Sequence, residues 1–254
     1  MLSKISTVLL LLSISFVSTN ADYAYAADVE GLLNPSQFNC FKSKGYSAVF
    51  TQIYATVNGG SVNKYGSQNV IYAHKAGLAT EVYIDPSPQS IKPSYTQFDE
   101  AYYQLTNANI SVRSIWLKVT KPLLWNQNVF YNINFIKDII TRAQSYNVNL
   151  GIYTNWYDWD QITGSTTIFQ QYSLPLWYWN TRGFGSNAET SYDFDDFVNF
   201  GGWFSQNPKA KEYGLIEWSC STVISEISYH TPKSYLELLR NKNLTQPVAG
   251  SAIL

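Results

Sequence analysis

Histidine and cysteine are scarce, with two of each in 254 residues. None is grouped with others at metal-ligand spacing, so no zinc-type centre is expected, and no cofactor. His74 and His230 stand alone, one in a helical stretch and one beside another. Ordinary surface or capping roles suit them better than catalysis. Net charge is missing too: 17 Lys+Arg stand against 18 Asp+Glu. That balance excludes the basic footprint of a nucleic-acid or anionic-membrane binder. There is no phosphate-cradling glycine loop, dinucleotide fingerprint or G-x-S-x-G elbow. "DFDDF", Asp193 to Phe197, gathers three acids but lacks a further ligand at calcium-loop spacing, and reads as a solvated helix start. After the N-terminal segment no apolar run is long enough to span a bilayer. No linker, charge run or low-complexity tract divides the chain.

The N-terminal segment "MLSKISTVLLLLSISFVSTNA" has one early lysine, an apolar run and then small residues. This is the pattern of a secretory signal peptide over residues 1–21, cut after Ala21, with a membrane anchor as the alternative reading. Residues 22–254 are then expected to form one soluble domain, secreted or lumenal, with no membrane attachment. In an oxidising compartment Cys40 and Cys220 read as a disulfide, against the alternative of two buried free thiols. The sequons at Asn109 and Asn243 agree with secretion. Aromatic residues make up 16% of the chain, including 20 Tyr and 8 Trp. Such rings suit sugar faces, offering an apolar plane and a polar edge, although core packing uses them as well.

Strand and helix signals alternate. "YAYAADV" is a strand, and "NPSQFNCFKSKG" a helix with Asn34 as N-cap and Pro35 in its first turn. The pattern repeats through "YSAVFTQIY", "LATEVYID", "VRSIWLKV" and "VNLGIYT", each followed by a helical or aromatic segment. "YGLIEWSC" and "TVISEISY" then read as short strands, and "TPKSYLELLRNK" as a terminal helix capped by Thr231. About five βα units followed by short strands and a C-terminal helix predict an α/β fold, an irregular TIM-like (β/α)-barrel. Its working face collects strand C-termini. Those ends carry Asp28, Tyr54, Asp85, Lys118 with Thr120, Trp156, Trp177 and Trp179.

The segments "YAADV", "FNCFKSKGY", "HKAGLATEVYIDP", "IWLKVTKPLLW", "GIYTNWYDWDQITG", "PLWYWNT", "FDDFVNFGGW" and "VISEISY" follow one another along the mature chain. In this order they resemble the glycoside hydrolase family 25 lysozymes, in particular the nematode and amoeba branch of secreted lysozymes. The resemblance implies a barrel that binds peptidoglycan and cuts between N-acetylmuramic acid and N-acetylglucosamine. In that family an Asp-x-Glu pair at the end of the fourth strand supplies the main acids. Here the pair falls on Lys118-Val119-Thr120. The first-strand aspartate is retained as Asp28, a loop aspartate falls on Asn63, and an acid near the last strand falls on Ser225. Two family cysteines fall on Gly66 and Ser87 while Cys40 and Cys220 are kept, which supports their bridge.

Glycoside cleavage needs a protonated carboxyl at the leaving oxygen and a negative group beside the sugar cation. A threonine hydroxyl does not donate a proton near neutral pH, and a lysine cation repels that centre. Lys118 can instead lie across the pocket mouth and pair with Asp28. The expectation is a catalytically impaired, monomeric lysozyme-like protein that keeps a cleft for bacterial cell-wall glycan or a related amino-sugar polymer. Tyr54, Asp85, Trp156, Trp177 and Trp179 are expected to line it, in a protein of innate defence or bacterial digestion. Two alternatives stand beside it. One is an active glycosidase using Asp28, Glu30 and Asp85, with Lys118 as a Schiff-base nucleophile in a minor variant. The other is a regulatory or interaction protein that kept only the scaffold.

Overall fold

The computed structural model describes residues 23–230 and 245–253. The N-terminal leader, the expected C-terminal helix and the Asn243 sequon lie outside the described residues. Five βα units come first. β1 (Tyr23–Val29) leads into α1 (Pro35–Ser43), where Asn34 and Gln37 cap each other's backbone N–H groups reciprocally. β2 (Ala48–Ala55) and the two-residue β3 (Ser61–Val62) precede α2 (Gly66–Lys75). β4 (Ala79–Ile84) precedes α3 (Ser94–Asn107). After β5 (Ser111–Val112) come β6 (Ser114–Lys118) and α4 (Val129–Ser145), capped by Asn128. β7 (Asn149–Thr154) runs into α5 (Trp156–Thr163), capped by Asn155. β8 (Leu176–Trp179), β9 (Pro208–Ser219), β10 (Thr222–His230) and β11 (Val248–Ala249) complete the set.

Eight strands close in the order β1-β10-β9-β8-β7-β6-β4-β2, and β2 pairs back with β1. All neighbours are parallel except β10, which is antiparallel to both β9 and β1. The chain is thus an α/β, TIM-like barrel of irregular type. Among the described residues no helix is long and apolar enough to cross a membrane.

The strands after the fifth unit are not short. β9 has 12 residues and β10 has 9, and they form one long hairpin. Its first half, "PKAKE", carries loop-like charge, yet Lys211 and Glu212 are both buried in the fold. Lys211 Nζ donates to Asp196 Oδ2 at 2.7 Å and to the carbonyls of Ser191 and Asp193. Asp196 also accepts from the Tyr178 hydroxyl and from Asn180. The "DFDDF" stretch is therefore a turn region clamped by a buried lysine, and no helix starts there. Cys220 and Ser221 form the hairpin's two-residue turn with φ of 51° and 60°, the left-handed values such a turn requires. The Cys40–Cys220 disulfide, with Cα atoms 5.8 Å apart, ties that turn to α1.

Large side chains fill the barrel. The Trp177 ring lies 4.1 Å from Tyr153, 4.6 Å from Phe50 and 5.8 Å from Tyr83, centroid to centroid. Trp116 meets it edge-on at 6.1 Å. Below them Glu81, fully buried, accepts from Trp116 Nε1 and from the backbone N–H groups of Ala252 and Ile253. The C-terminal segment thereby closes the lower mouth of the barrel. Gly151 sits opposite Trp116 across the β6–β7 ladder, and a Cβ there would lie 2.3 Å from the indole. Only glycine leaves room for that ring.

Gly151→Ala is accordingly expected to lower unfolding free energy by about 1–3 kcal/mol in a urea titration, the usual range for overpacking. It should also change the near-UV tryptophan signal. Unaltered stability with an unaltered spectrum would show that the lumen is looser than described.

Candidate functional site

The C-terminal ends of the parallel strands open into a cavity of about 880 Å³. Its floor comes from the strands: Asp28 on β1, Lys118 and Thr120 at the end of β6, Tyr153 on β7, Glu212 on β9 and Ser225 on β10. Glu30, Lys121, Asp158 and Trp179 stand at its sides. Phe184, Leu215, Ile216, Trp218 and Val223 make up one wall. Among the described residues, no group of three or more His, Cys, Asp or Glu is arranged to hold a metal ion.

Lys118 occupies the centre of the floor. Its ammonium lies over the rings of Tyr83 and Tyr153, 5.2 Å from each centroid. It joins none of the ion pairs among the described residues, so the expected contact pair with Asp28 does not form. Two cation–π contacts take its place, each worth roughly 1–2 kcal/mol when desolvated. Burial works against the ammonium, but the fields of Asp85, Asp28, Glu212 and Glu30 outweigh it and hold its pKa above the ordinary lysine value. A lysine held protonated is a poor Schiff-base nucleophile, which argues against the aldolase-like variant.

The acids around it are displaced upward as well, which for a carboxyl favours the neutral form. Burial pushes the Asp28 carboxyl well up, and Glu212 and Glu30 add to the push, against Lys118 and the Tyr83 hydroxyl. Burial also raises Glu212, opposed by Lys118 and by the hydroxyls of Tyr153 and Ser225. Asp28 Oδ1, Thr120 Oγ1 and Glu212 Oε2 are buried with no hydrogen-bond partner among the protein atoms. All three residues line the same cavity.

Sequence reasoning missed Asp158 and Glu212. Asp158 is the third residue of α5, and its backbone N–H bonds the Asn155 side chain at 2.8 Å. The side chain turns back over the cap into the cavity, where Oδ2 accepts from Trp179 Nε1 at 3.1 Å. Burial raises its pKa to about 6, against hydrogen bonds from Trp179 and the Lys121 backbone and the field of Lys118. The signal was available: "NWYD" directly after a strand has the spacing of an N-cap with an acid at N3. Glu212 lies just before "YGLIEWSC", the segment that reads as a strand, and falls outside it.

Several expected lining residues lie elsewhere. Tyr54 faces the helices and is fully buried, with its hydroxyl donating to Glu100 at 2.9 Å. A bulge between Gln52 and Tyr54 inserts Ile53 as an extra residue and reverses the strand's alternation there. Trp177 is packed beneath the floor with no exposure, while Trp179, one pleat higher, reaches the cavity. Trp156 points outward, 60% exposed, against Tyr157. Asp85 is outside the lining and pairs with Lys121 at 3.3 Å, although its field reaches Lys118. Asn63 is a strut: Nδ2 donates to the Glu30 carbonyl at 2.8 Å and to Gln52 Oε1 at 3.1 Å. That strut brings Glu30, expected as loop surface, to the cavity edge, where it accepts from the Tyr83 hydroxyl at 3.4 Å. Asn109 is exposed at the end of α3.

Comparison with known proteins adds a lineage to this geometry. The family model described as Lys-1, Lysozyme-like protein 1, matches residues 19–213. Lysozyme-like protein 1 of Caenorhabditis elegans is 38% identical over 213 residues, covering 84% of this chain and 70% of that protein. Probable GH family 25 lysozyme 2 of Dictyostelium discoideum is 28% identical over 194 residues, covering 76% and 84%. Among solved structures, a family GH25 lysozyme from Aspergillus fumigatus superposes with a TM-score of 0.63 at 16% identity, covering 86% of this chain and 99% of that one. That last likeness concerns the fold.

The Asp158 carboxyl makes stability depend on pH with a definite sign. Its folded pKa of about 6 lies above the ordinary aspartate value of 3.8, so the native state keeps a proton the unfolded chain has lost between those limits. The stabilisation is full below about pH 4 and is lost as pH rises through about 6. Asp158→Asn, which still accepts from Trp179, is expected to flatten this slope and to raise stability at pH 7 by on the order of 2 kcal/mol. Denaturant titrations from pH 4 to 7 measure it, and an unchanged slope would refute the assignment.

Proposed function

Because the chain belongs to the lysozyme-like proteins of glycoside hydrolase family 25, matching their model over residues 19–213, we propose that it is a secreted glycan-binding protein whose hydrolytic chemistry is impaired. The ligand class is bacterial cell-wall glycan or a related amino-sugar polymer, in keeping with the lysozymes it resembles. The observation that carries the reading is Lys118: its ammonium is fixed over Tyr83 and Tyr153 at the centre of the floor. A developing sugar cation there would meet a positive charge, and Thr120 beside it has no acidic proton to give.

Binding, by contrast, is well supported. Glu30, Lys121 and Asp158 at the cavity sides offer polar partners for sugar hydroxyl and amide groups. Trp179 offers a partly exposed indole beside them. The Cys40–Cys220 bridge and the exposed Asn109 sequon fit an oxidising secretory route, and a single domain acting as a monomer outside the cell is part of the proposal. A role in innate defence or bacterial digestion goes with it.

A second reading has one observation in its favour. Asp158 holds a proton up to about pH 6 at the cavity side, so it is a carboxylic acid able to donate in mildly acidic surroundings. A muramidase with rearranged carboxylates, Asp158 as acid and Asp28 or Glu212 as the negative partner, would use it.

The two readings separate in one pair of assays on the mature protein. Calorimetric titration with N-acetylglucosamine oligomers and soluble peptidoglycan fragments should give binding, while turbidity and reducing-end assays at pH 5 and 7 stay at background. Absence of binding to all of these glycans would remove the first reading. Clearing of cell walls at pH 5 that Asp158→Asn abolishes would establish the second.

A further inference from the structure

Two lysines and four carboxylates line the cavity, and only one of the lysines has a carboxylate partner. The acids are Asp28, Glu30, Asp158 and Glu212, and the cations Lys118 and Lys121. Lys121 is taken up by Asp85 at 3.3 Å. Lys118 is not: among the described residues its ammonium joins no ion pair and donates no hydrogen bond. It is half-buried, with the ammonium over the rings of Tyr83 and Tyr153. Its N–H groups are thus left for what enters the cavity.

This arrangement sorts ligands by charge. Asp28, Glu212 and Glu30 act on the ammonium from a distance. Carboxylates grouped with two aromatic rings make a place for a cation, and Lys118, tethered to β6, already fills it. A second ammonium brought by a ligand would share those carboxylates with Lys118 and be repelled by it at close range. An anion meets the repulsion of the four lining acids. The group that suits free N–H donors in these surroundings is an uncharged acceptor, and a hydrogen bond from an ammonium to a neutral oxygen is stronger than one between neutral groups. In an amino-sugar chain the best such acceptor is the carbonyl of the N-acetyl group. Without the acetyl group the same position carries an amine, which is an ammonium in mildly acidic solution.

We propose that Lys118 is a specificity residue that fills the cavity's cation place, so that the cavity admits N-acetylated amino-sugar chains, offering its N–H groups to an amide carbonyl, and turns away their N-deacetylated, cationic forms. This rests on the glycan reading of the cavity and names the form of glycan it takes. No bond is made or broken.

The test compares N-acetylchitotriose with chitotriose, its fully N-deacetylated form, by calorimetric titration of the mature protein at pH 6. The wild type is expected to bind the acetylated sugar about tenfold more tightly or better. Lys118→Met, of similar length and apolar against the two tyrosine rings, should weaken the acetylated sugar by about fivefold and strengthen the deacetylated one by about tenfold, inverting the preference. Lys118→Gln, also uncharged, should invert it too, and near-UV circular dichroism checks that both variants keep the native core. A merely structural lysine would lower both affinities together, and that result in a natively folded variant overturns the proposal. If the wild type binds both sugars alike, selection by charge is refuted while the glycan reading stands. If it binds neither, both fall.

Discussion

The packing of five aromatic rings inside the barrel is the constraint on which the site depends. Trp177 is held between Tyr153, Phe50, Tyr83 and Trp116, and none of these side chains has room to move independently. Tyr83 and Tyr153 pack into this core and also meet Lys118. The Lys118 ammonium lies over both rings. The same contacts that fill the lumen therefore fix the cation in the site. A lysine at this strand end without the two rings would have to find a carboxylate or reach for water.

Charge on the floor is balanced by distance more than by contact. Four carboxylates line the cavity: Asp28, Glu30, Asp158 and Glu212. Burial, with crowding by the other carboxylates, raises Asp28 and Glu212 above the ordinary carboxylate values. Lys118 opposes that rise in both. The lysine at this strand end has an electrostatic effect of its own: its cation keeps the neighbouring acids closer to ionisation than they would be without it. The unmatched oxygens of Asp28, Thr120 and Glu212 are the residue of this arrangement, polar groups positioned by strands but matched by no side chain.

Much of this was legible in the sequence, within physical limits. The alternation of strand and helix signals, the Asn34 cap and the strand ends bearing Asp28, Lys118 and Thr120 follow from local rules that the structure obeys. Alternation also assigned Trp177 and Trp179 to one face, correctly, but says nothing of height along the barrel axis. One is core and the other lines the cavity because of a single pleat. Tyr54 was lost to a one-residue bulge, which no periodic pattern encodes. Lys211 and Glu212 fall outside the stretch that reads as strand, since charge on a strand is costly unless partners exist, and those partners come from residues far away in sequence. Asp158 alone was recoverable from a local motif.

The division of the cavity into a polar floor and an apolar wall follows from strand direction. Parallel strands end together, and their last residues leave the ladder with side chains and backbone groups free to meet a ligand. An antiparallel hairpin rising past that rim keeps its backbone paired to the tip, so only its side chains face the cavity. The hairpin here is held upright by the disulfide from its turn to α1 and by the Gln37 side chain, which donates to the carbonyls of Cys220 and Ser221 at 3.3 Å. Glu226, farther down β10, adds a bond from the Tyr46 hydroxyl. A wall so anchored at both ends keeps its exposed Ile216 and Trp218 in place in spite of the strained backbone between them. The polar floor is a consequence of the barrel, but the apolar wall is a consequence of the one strand that runs against it.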